Sequence, residues 1–279
     1  MSNCVSVRCG GQLLSLASPV VMGILNVTDD SFYAASRCTT ADDIATRTHQ
    51  ILSEGGAIVD VGAYSTRPGA VEISAQTEIE RLTFALQIIR QKFPQTLVSI
   101  DTFRSEVVQE IVAQFGDFIV NDISGGELDL LLFETVAKLS LPYILTHSRG
   151  TPQTMQTLTQ YDNLVGDLVL FFSKKIKQLH ALGVADVIVD PGFGFAKTTE
   201  QNFELLAHLD DFHIFELPLL VGVSRKRMIY HTLQCSPAEA LNGTTVLNTL
   251  ALQKGATILR VHDVKAAAEA VRLWQLVDN

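Results

Sequence analysis

Polar side chains that could bind or react with a ligand follow short apolar runs in this sequence. The run 187–189 is followed by Asp190, then by Pro191 and a loop in which Gly alternates with Phe193 and Phe195. Proline cannot continue a central strand, and glycine permits turns that other residues resist. The pattern predicts a buried strand that brings a carboxylate to a loop carrying two aromatic rings.

Similar polar groups stand after other apolar runs. The candidates of this kind are Asn26, Thr66, Arg67, Asp101, Asn121, His147, Asp190, Lys226, Arg260 and His262. Each has a structural explanation of its own, because an aspartate after a strand often caps the next helix and a basic triplet such as 225–227 is usually solvated. Their number indicates a ligand site. Lys197 we expect to face solvent.

The residue types indicate two ligand chemistries. Carboxylates with an amide and a cation suit a flat heterocycle that presents adjacent N–H and NH2 donors, because two parallel charge-assisted bonds can form; the residues of this type are Asp101, Asn121, Asp190 and Lys226. Phosphate oxygens suit the other set, namely Asn26, Arg67, Arg260 and His262. No HExxH or HxH spacing and no serine nucleophile elbow is present. The types therefore predict an enzyme acting on a phosphorylated heterocycle.

The elements that must position these residues alternate regularly. Apolar runs without polar alternation are typical of strands buried on both faces of a parallel sheet, and here such runs alternate with amphipathic segments. Eight such units predict an α/β fold, a closed (β/α)8 TIM barrel, with the active site at the carboxyl ends of the strands. An open doubly wound sheet is the alternative, although no GxGxxG follows the first strand.

One domain is expected, since no linker or composition break divides the chain. Weak alternation around Gly10 and Gly11 predicts an N-terminal β-hairpin within 1–19, ahead of a barrel spanning 20–279. The net charge of −9 argues against binding to nucleic acid or to acidic membranes. The four cysteines form no CxxC pair, and the sequence contains neither a membrane-length apolar stretch nor the apolar core of a signal peptide, so we expect a cytoplasmic protein.

Seven groups of residues, in the same order along the chain, resemble the dihydropteroate synthases, the folate-pathway family that sulfonamides inhibit. The matching segments are MGILNVT (22–28) with DSF (30–32), STRPGA (65–70), SIDT (99–102), NDISGG (121–126), DPGFGF (190–195), GVSRK (222–226) and RVHD (260–263). Each segment alone is a weak signal. Together they are spread from residue 22 to residue 263, so the resemblance extends over nearly the whole chain.

The resemblance implies a transferase. It would condense 6-hydroxymethyl-7,8-dihydropterin pyrophosphate with p-aminobenzoate, giving 7,8-dihydropteroate and pyrophosphate by a dissociative (SN1-like) route, with Mg2+ as cofactor. It also implies a homodimer.

The same resemblance assigns residue roles. Pterin binding falls to Asp101, Asn121, Asp190 and Lys226. Pyrophosphate binding falls to Asn26, Thr66, Arg67, Arg260 and His262, with Asn26 next to the Mg2+. The p-aminobenzoate would be framed by Ser31, Phe32, Pro68, Phe195 and Ser224. The catalytic residues would be Asp101, Lys226 and Arg67.

Some positions depart from the family pattern. Asp29 replaces a usual Pro, Tyr64 a Glu, Thr146 a Met and Ala196 a Gly. None of these changes removes an implied pterin or phosphate ligand. Two other functions stay open: a corrinoid-linked pterin methyltransferase on the same type of barrel, which 65–68 and 224–226 disfavour, and a non-catalytic pterin-binding protein.

Overall fold

A sheet of eight parallel strands forms the centre of the structure, a computed structural model that describes residues 6–28, 38–64 and 72–278. The strands are β3 (Val20–Asn26), β4 (Ile58–Gly62), β5 (Leu97–Asp101), β6 (Ile119–Asp122), β7 (Tyr143–Thr146), β8 (Val187–Asp190), β9 (Leu220–Val221) and β10 (Ile258–Val261). Their order across the sheet is β8-β7-β6-β5-β4-β3-β10-β9. A bridge between Val189 and Leu219 joins the two edges, so the sheet closes and the predicted barrel is confirmed.

Helices surround the barrel. Within the described ranges they are α1 (Ala41–Ser53), α2 (Ala75–Lys92), α3 (Ser105–Phe115), α4 (Leu132–Leu139), α5 (Leu164–Ala181), α6 (Thr199–Ala207), α7 (Arg227–Thr232), α8 (Leu241–Gln253) and α9 (Val264–Asp278). Thr40 and Asp43 cap α1 reciprocally, and the Ser74 hydroxyl accepts a hydrogen bond from Thr77 N at the start of α2. Both helix starts agree with the capping pattern of the sequence.

The seventh strand of the barrel is shorter than its apolar run predicts. The run 217–223 gives a ladder only at Leu220–Val221, because Pro218 has no N–H to donate and Gly222 leads directly into the turn before α7. The Pro218 carbonyl instead accepts a hydrogen bond from Val189 N at 2.9 Å, which helps to close the barrel.

Alternation along the strands sorts the side chains into inside and outside. Apolar residues near the start of each strand fill the lower barrel, among them Met22, Ile58, Ile119, Ile144, Ile188, Leu220 and Ile258. Two residues further along, the same face carries polar groups, which include Asp60, Asn121, Asp190 and Arg260. Successive side chains of a strand point to opposite faces. The polar groups therefore share the barrel interior with the apolar layer, one step closer to the carboxyl ends.

An antiparallel hairpin packs against the other end of the barrel. Strands β1 (Ser6–Cys9) and β2 (Gln12–Ser15) are joined by Gly10 and Gly11, both with positive φ, as a two-residue hairpin turn requires. Val7, Cys9 and Leu16 are buried in the same cluster as the lower barrel residues. The predicted hairpin is confirmed. Across the described ranges, no helix combines the length and apolarity needed to cross a membrane.

Candidate active site

A cavity of about 590 Å3 opens at the carboxyl ends of the strands. Seven of the predicted site residues line it: Asn26, Asp101, Phe195, Ser224, Lys226, Arg260 and His262. Asn121 and Asp190 are buried near the carboxyl ends of β6 and β8, which lie on either side of β7. The other predicted site residues, Ser31, Phe32, Thr66, Arg67 and Pro68, lie outside the described residues.

Arg260 is held between two carboxylates. Its Nη2 lies 2.6 Å from Asp60 Oδ2 and 2.7 Å from Asp101 Oδ2, and its Nε donates to Asp60 Oδ2 at 2.7 Å. Asn121 Nδ2 donates to the second oxygen of Asp60 at 3.2 Å. Asp60 thus orients two predicted ligand-binding side chains, although it is not among the residues singled out by the sequence. Its signal is a carboxylate inside an otherwise apolar strand, two residues after Ile58.

The two carboxylates and one guanidinium carry a net negative charge when all three are ionised. Burial raises the pKa of Asp101 to about 7, and the charge of Asp60 adds to this rise while Arg260 opposes it. Burial by itself would lower the pKa of Arg260, but the two carboxylates outweigh that effect and raise it. Arg260 therefore stays protonated, and Asp101 changes charge close to neutral pH.

Lys226 connects the loop after β8 to the start of α7. Its Nζ donates to the Phe193 carbonyl and lies 4.7 Å from the centre of the Phe195 ring. Burial lowers the pKa of Lys226 to about 8, against the opposing effect of Asp190. Burial raises the pKa of Asp190, and Lys226 opposes that rise. A half-buried cation, a buried carboxylate and an aromatic face thus meet on one side of the cavity.

Ser224 and His262, which follow the adjacent strands β9 and β10, bind each other. The backbone N–H of His262 donates to Ser224 Oγ at 3.1 Å, and the same oxygen lies 3.0 Å from His262 Nδ1. A hydroxyl that accepts from the backbone is free to donate to Nδ1, which places the ring proton on Nε2. Burial lowers the pKa of His262 to about 3, with Arg260 adding to the effect. His262 is therefore a neutral hydrogen-bond donor.

Lys197 corrects the sequence prediction. It is only 4% exposed, and its Nζ lies 3.0 Å from Gly192 O, 3.2 Å from Phe195 O and 3.1 Å from His147 Nδ1. The prediction of a solvent-facing lysine was wrong because the Gly-rich loop folds back over the side chain. His147 is itself buried, with its ring centre 4.9 Å from that of Phe171.

Asp122 and Arg225, two charged residues near the cavity, bind neighbouring loops of the protein. Asp122 accepts hydrogen bonds from Ser124 N at 2.7 Å and Gly126 N at 2.6 Å, and also from the Tyr143 hydroxyl. Arg225 pairs with both oxygens of Asp263, at 2.8 and 2.9 Å. The bonds of Asp122 give the NDISGG segment a structural role in its own loop. The pair of Arg225 and Asp263 links the loop that carries SRK to the loop that carries RVHD.

Asn26 is the predicted contact for Mg2+. No group of three metal-binding side chains occurs in the ranges that the structure describes. Mg2+ commonly takes one or two protein oxygens, several waters and the substrate's phosphate oxygens. At Gly62, an added Cβ would lie 3.2 Å from Asn26 Oδ1 and 3.8 Å from Asp101 Oδ2, so the missing side chain leaves space between two oxygen donors. This arrangement fits an ion that arrives with a phosphorylated substrate.

Comparison with known proteins identifies the family. Residues 22–262 match the model of the pterin binding enzymes. The chain is 41% identical to the dihydropteroate synthase of Escherichia coli over 94% of its own length and 93% of the relative's, and 37% identical to that of Haemophilus influenzae over 99% and 100%.

Solved structures agree. The Yersinia pestis dihydropteroate synthase in a sulfonamide drug complex superposes with a TM-score of 0.93 at 38% identity, covering 98% of this chain and 99% of that one. The Xanthomonas albilineans dihydropteroate synthase with 4-aminobenzoic acid gives 0.88 at 34% identity, with 98% of both chains covered. With its barrel, its cavity lined by the predicted site residues and these relatives, the chain belongs to the pterin binding enzymes and, among these transferases, to the dihydropteroate synthases.

Proposed function

We propose that this chain condenses 6-hydroxymethyl-7,8-dihydropterin pyrophosphate with p-aminobenzoate, forming 7,8-dihydropteroate and releasing pyrophosphate. The observation that carries the proposal is the meeting of Asp101, Lys226, Arg260 and His262 around one cavity, beside the aromatic ring of Phe195. Carboxylates for a heterocycle, donors for phosphate and an apolar wall for a benzene ring are the three chemistries that this reaction needs.

Pterin binding is assigned to the inner part of the cavity. Asp190 offers carboxylate oxygens to ring N–H and NH2 donors, and Lys226 can donate to a ring acceptor. Asn121 carries both functions on its amide, and its Nδ2 is already directed by Asp60 at 3.2 Å. Within this pocket, each hydrogen bond to the pterin replaces one that water would otherwise supply. A ring that lacks the matching donors and acceptors would leave these polar groups unpaired and would be rejected.

Pyrophosphate binding is assigned to Arg260 and His262, with Asn26 and, outside the described residues, Thr66 and Arg67. The neutral imidazole of His262 presents an N–H to a phosphate oxygen, and the guanidinium of Arg260, which Asp60 and Asp101 keep protonated, can donate further N–H groups. Mg2+, when bound, neutralises charge on the leaving pyrophosphate. Asn26 would supply a protein oxygen to that ion.

A dissociative route suits the charge of the inner site. When the C–O bond to pyrophosphate breaks, positive charge develops on the pterin methylene and ring. Asp60 and Asp101 share one guanidinium, at 2.6 and 2.7 Å, so the ionised cluster keeps one negative charge in excess. That excess stabilises the developing cation without reorganisation of solvent, which is the source of most electrostatic catalysis.

The p-aminobenzoate would bind at the outer part of the cavity, between the Phe195 ring and Ser224, and its amine would attack the methylene carbon. Ser31, Phe32 and Pro68 complete the proposed subsite. A neutral aromatic amine needs no base to attack a cation, and it loses its extra proton after the C–N bond has formed. The sulfonamide drug complex of the Yersinia pestis relative supports the proposal that sulfonamides compete for this subsite here as well.

We place the reaction in folate biosynthesis, in the cytoplasm, and in a homodimer. In the described ranges Cys9 and Cys235 are free thiols, in keeping with a reducing compartment. Helices α8 and α9 expose apolar side chains that a second copy could cover, including Val246, Leu250, Leu273 and Leu276.

The experiment that tests the proposal is a pyrophosphate-release assay with the dihydropterin pyrophosphate and Mg2+, with and without p-aminobenzoate. The proposal predicts release that depends on p-aminobenzoate, together with formation of dihydropteroate. Tight pterin binding without release in either case would overturn it in favour of a non-catalytic binding protein. Methyl transfer from a pterin to a corrinoid protein, with no release, would support the methyltransferase.

A further inference from the structure

The ammonium group of Lys197 binds two carbonyls of one loop. Its three contacts, Gly192 O at 3.0 Å, Phe195 O at 3.2 Å and His147 Nδ1 at 3.1 Å, match the three N–H groups that an ammonium can donate. Two of these acceptors belong to the turn that follows β8. Lys197 therefore closes that turn from within.

The turn depends on such a donor because its backbone is unusual. Gly192, Gly194 and Ala196 all have positive φ, at 75°, 80° and 47°. Alanine rarely adopts this left-handed conformation, and a side chain on Gly192 would collide with the His147 carbonyl. A chain that reverses in this way turns carbonyl oxygens inward. Gly192 O also accepts from Phe195 N at 3.1 Å, while the Phe195 carbonyl accepts from Lys197 Nζ at 3.2 Å.

The turn borders the cavity, and Lys197 itself is among the lining residues. Phe195 forms part of the cavity wall and lies 4.7 Å from Lys226 Nζ, while the carbonyl of Phe193 accepts from the same ammonium. Asn202 Oδ1 accepts from Gly194 N at 2.6 Å, and the Tyr161 hydroxyl donates to Ala196 O at 2.9 Å. Lys197 differs from Asn202 and Tyr161 because it donates a hydrogen bond to the carbonyl of Phe195 itself.

Burial lowers the pKa of Lys197 to about 7, against the opposing effect of Asp190, while three hydrogen-bond partners hold its side chain in place. His147 offers a ring nitrogen as acceptor, and burial lowers its pKa, so it stays neutral. The aromatic side chains of Phe171, Phe172 and Tyr161 lie around the imidazole, with ring centres 4.9, 6.4 and 6.0 Å from its own. The imidazole is therefore held in place as the third partner of the ammonium.

We propose that Lys197 is a positioning residue for p-aminobenzoate: it fixes the carbonyl of Phe195 and thereby the aromatic wall against which this substrate binds. The inference rests on the proposed function, since it concerns one of that reaction's two substrates. It assigns the residue no contact with the reacting atoms.

The test is steady-state kinetics of Lys197→Met, with each substrate varied in turn. Methionine fills a similar volume but donates no hydrogen bond. We expect the KM for p-aminobenzoate to rise about tenfold, equivalent to about 1.4 kcal/mol. The KM for the dihydropterin pyrophosphate should change less than about threefold, because the hydrogen bonds of Lys197 go to His147, Gly192 and Phe195 and not to the residues assigned to the pterin. Lys254→Met, which removes a surface lysine paired with Asp210, serves as the matched control and should leave both constants unchanged.

Lys197→Gln gives a second measurement if the Met variant does not fold. Its amide can donate to one of the two carbonyls, so the rise in the KM for p-aminobenzoate should be smaller than in Lys197→Met. Unchanged KM values, or equal rises for both substrates, would overturn the inference. A fall in kcat alone, in proportion to folded protein, would also overturn it and would indicate a merely structural role. Failure of the proposed function would be seen separately, as wild-type protein without p-aminobenzoate-dependent release.

Discussion

Asp60 shows how one side chain can set the chemistry of another. It binds Arg260 through Nε and Nη2 and accepts from Asn121, while its charge raises the pKa of Asp101. Sequence analysis predicted Asp101, Asn121 and Arg260 from their places after apolar runs. It missed Asp60, because a contact between residues 200 positions apart exists only once the barrel has closed.

We expect the pH profile to report this coupling. Because ionised Asp101 stabilises the developing cation, kcat/KM should fall as the pH drops below its pKa of about 7. In Asp60→Asn the acid limb should move to lower pH, since removing one negative charge favours ionisation of Asp101 beside Arg260. The measurement is kcat/KM for the dihydropterin pyrophosphate from pH 5 to 8, a window of about three units around that limb. Asp42→Asn, on an exposed helix start, is the control. An acid limb that stays in place or moves upward would contradict the coupling.

At the scale of elements, the sequence predicted where strands and helices lie better than how far they extend. The apolar runs and the caps at Thr40 and Ser74 were sufficient to locate the strands and the first two helices, because both signals are local. The length of β9 was not predicted, because Pro218 takes part in barrel closure through its carbonyl rather than in the ladder. The burial of Lys197 was likewise hidden, since it depends on how the loop after β8 folds back.

Helix α1 provides a second case in which position depends on a contact between elements. Buried Arg47 donates to Ile24 O in β3 at 3.1 Å and to His262 O after β10 at 2.5 Å. It thereby ties the ends of two neighbouring strands, one of which leads into the proposed phosphate site.

Replacing this arginine should cost stability. Arg47→Met leaves two buried carbonyls without that donor, and we expect the free energy of unfolding to fall by about 2 to 4 kcal/mol. Urea unfolding measures the change, with exposed Arg8→Met as a control expected within about 0.5 kcal/mol of wild type. Equal stability of the two variants would show that α1 does not hold the strand ends through Arg47.

At the scale of the whole molecule, stability and chemistry occupy opposite ends of the barrel. The apolar layer and the hairpin close the bottom, and the charged groups meet at the top. This division was predictable from the strand pattern, because each strand begins with apolar residues and is followed by a polar one. The shape of the cavity was not predictable, because it depends on loops whose sequences show little periodicity.

The hairpin allows a matched comparison of that division. Leu16 is 5% exposed and Leu13 is 66% exposed, although both lie in or next to β2. We expect Leu16→Ala to lower the free energy of unfolding by about 2 to 3 kcal/mol, and Leu13→Ala to stay within about 0.5 kcal/mol. Neither should change KM, since the cavity lies at the other end. A raised KM in folded Leu16→Ala would contradict the separation of the two ends.

The turnover of Asp101→Asn tests the central claim most directly. The substitution keeps the shape of the side chain and its contact with Arg260 but removes the charge. We predict a folded protein whose kcat for p-aminobenzoate-dependent pyrophosphate release falls by at least about a hundredfold, because the stabilisation of the developing cation is lost. An unchanged kcat, with the variant folded as well as wild type, would contradict the role assigned to Asp101 and the cationic route with it.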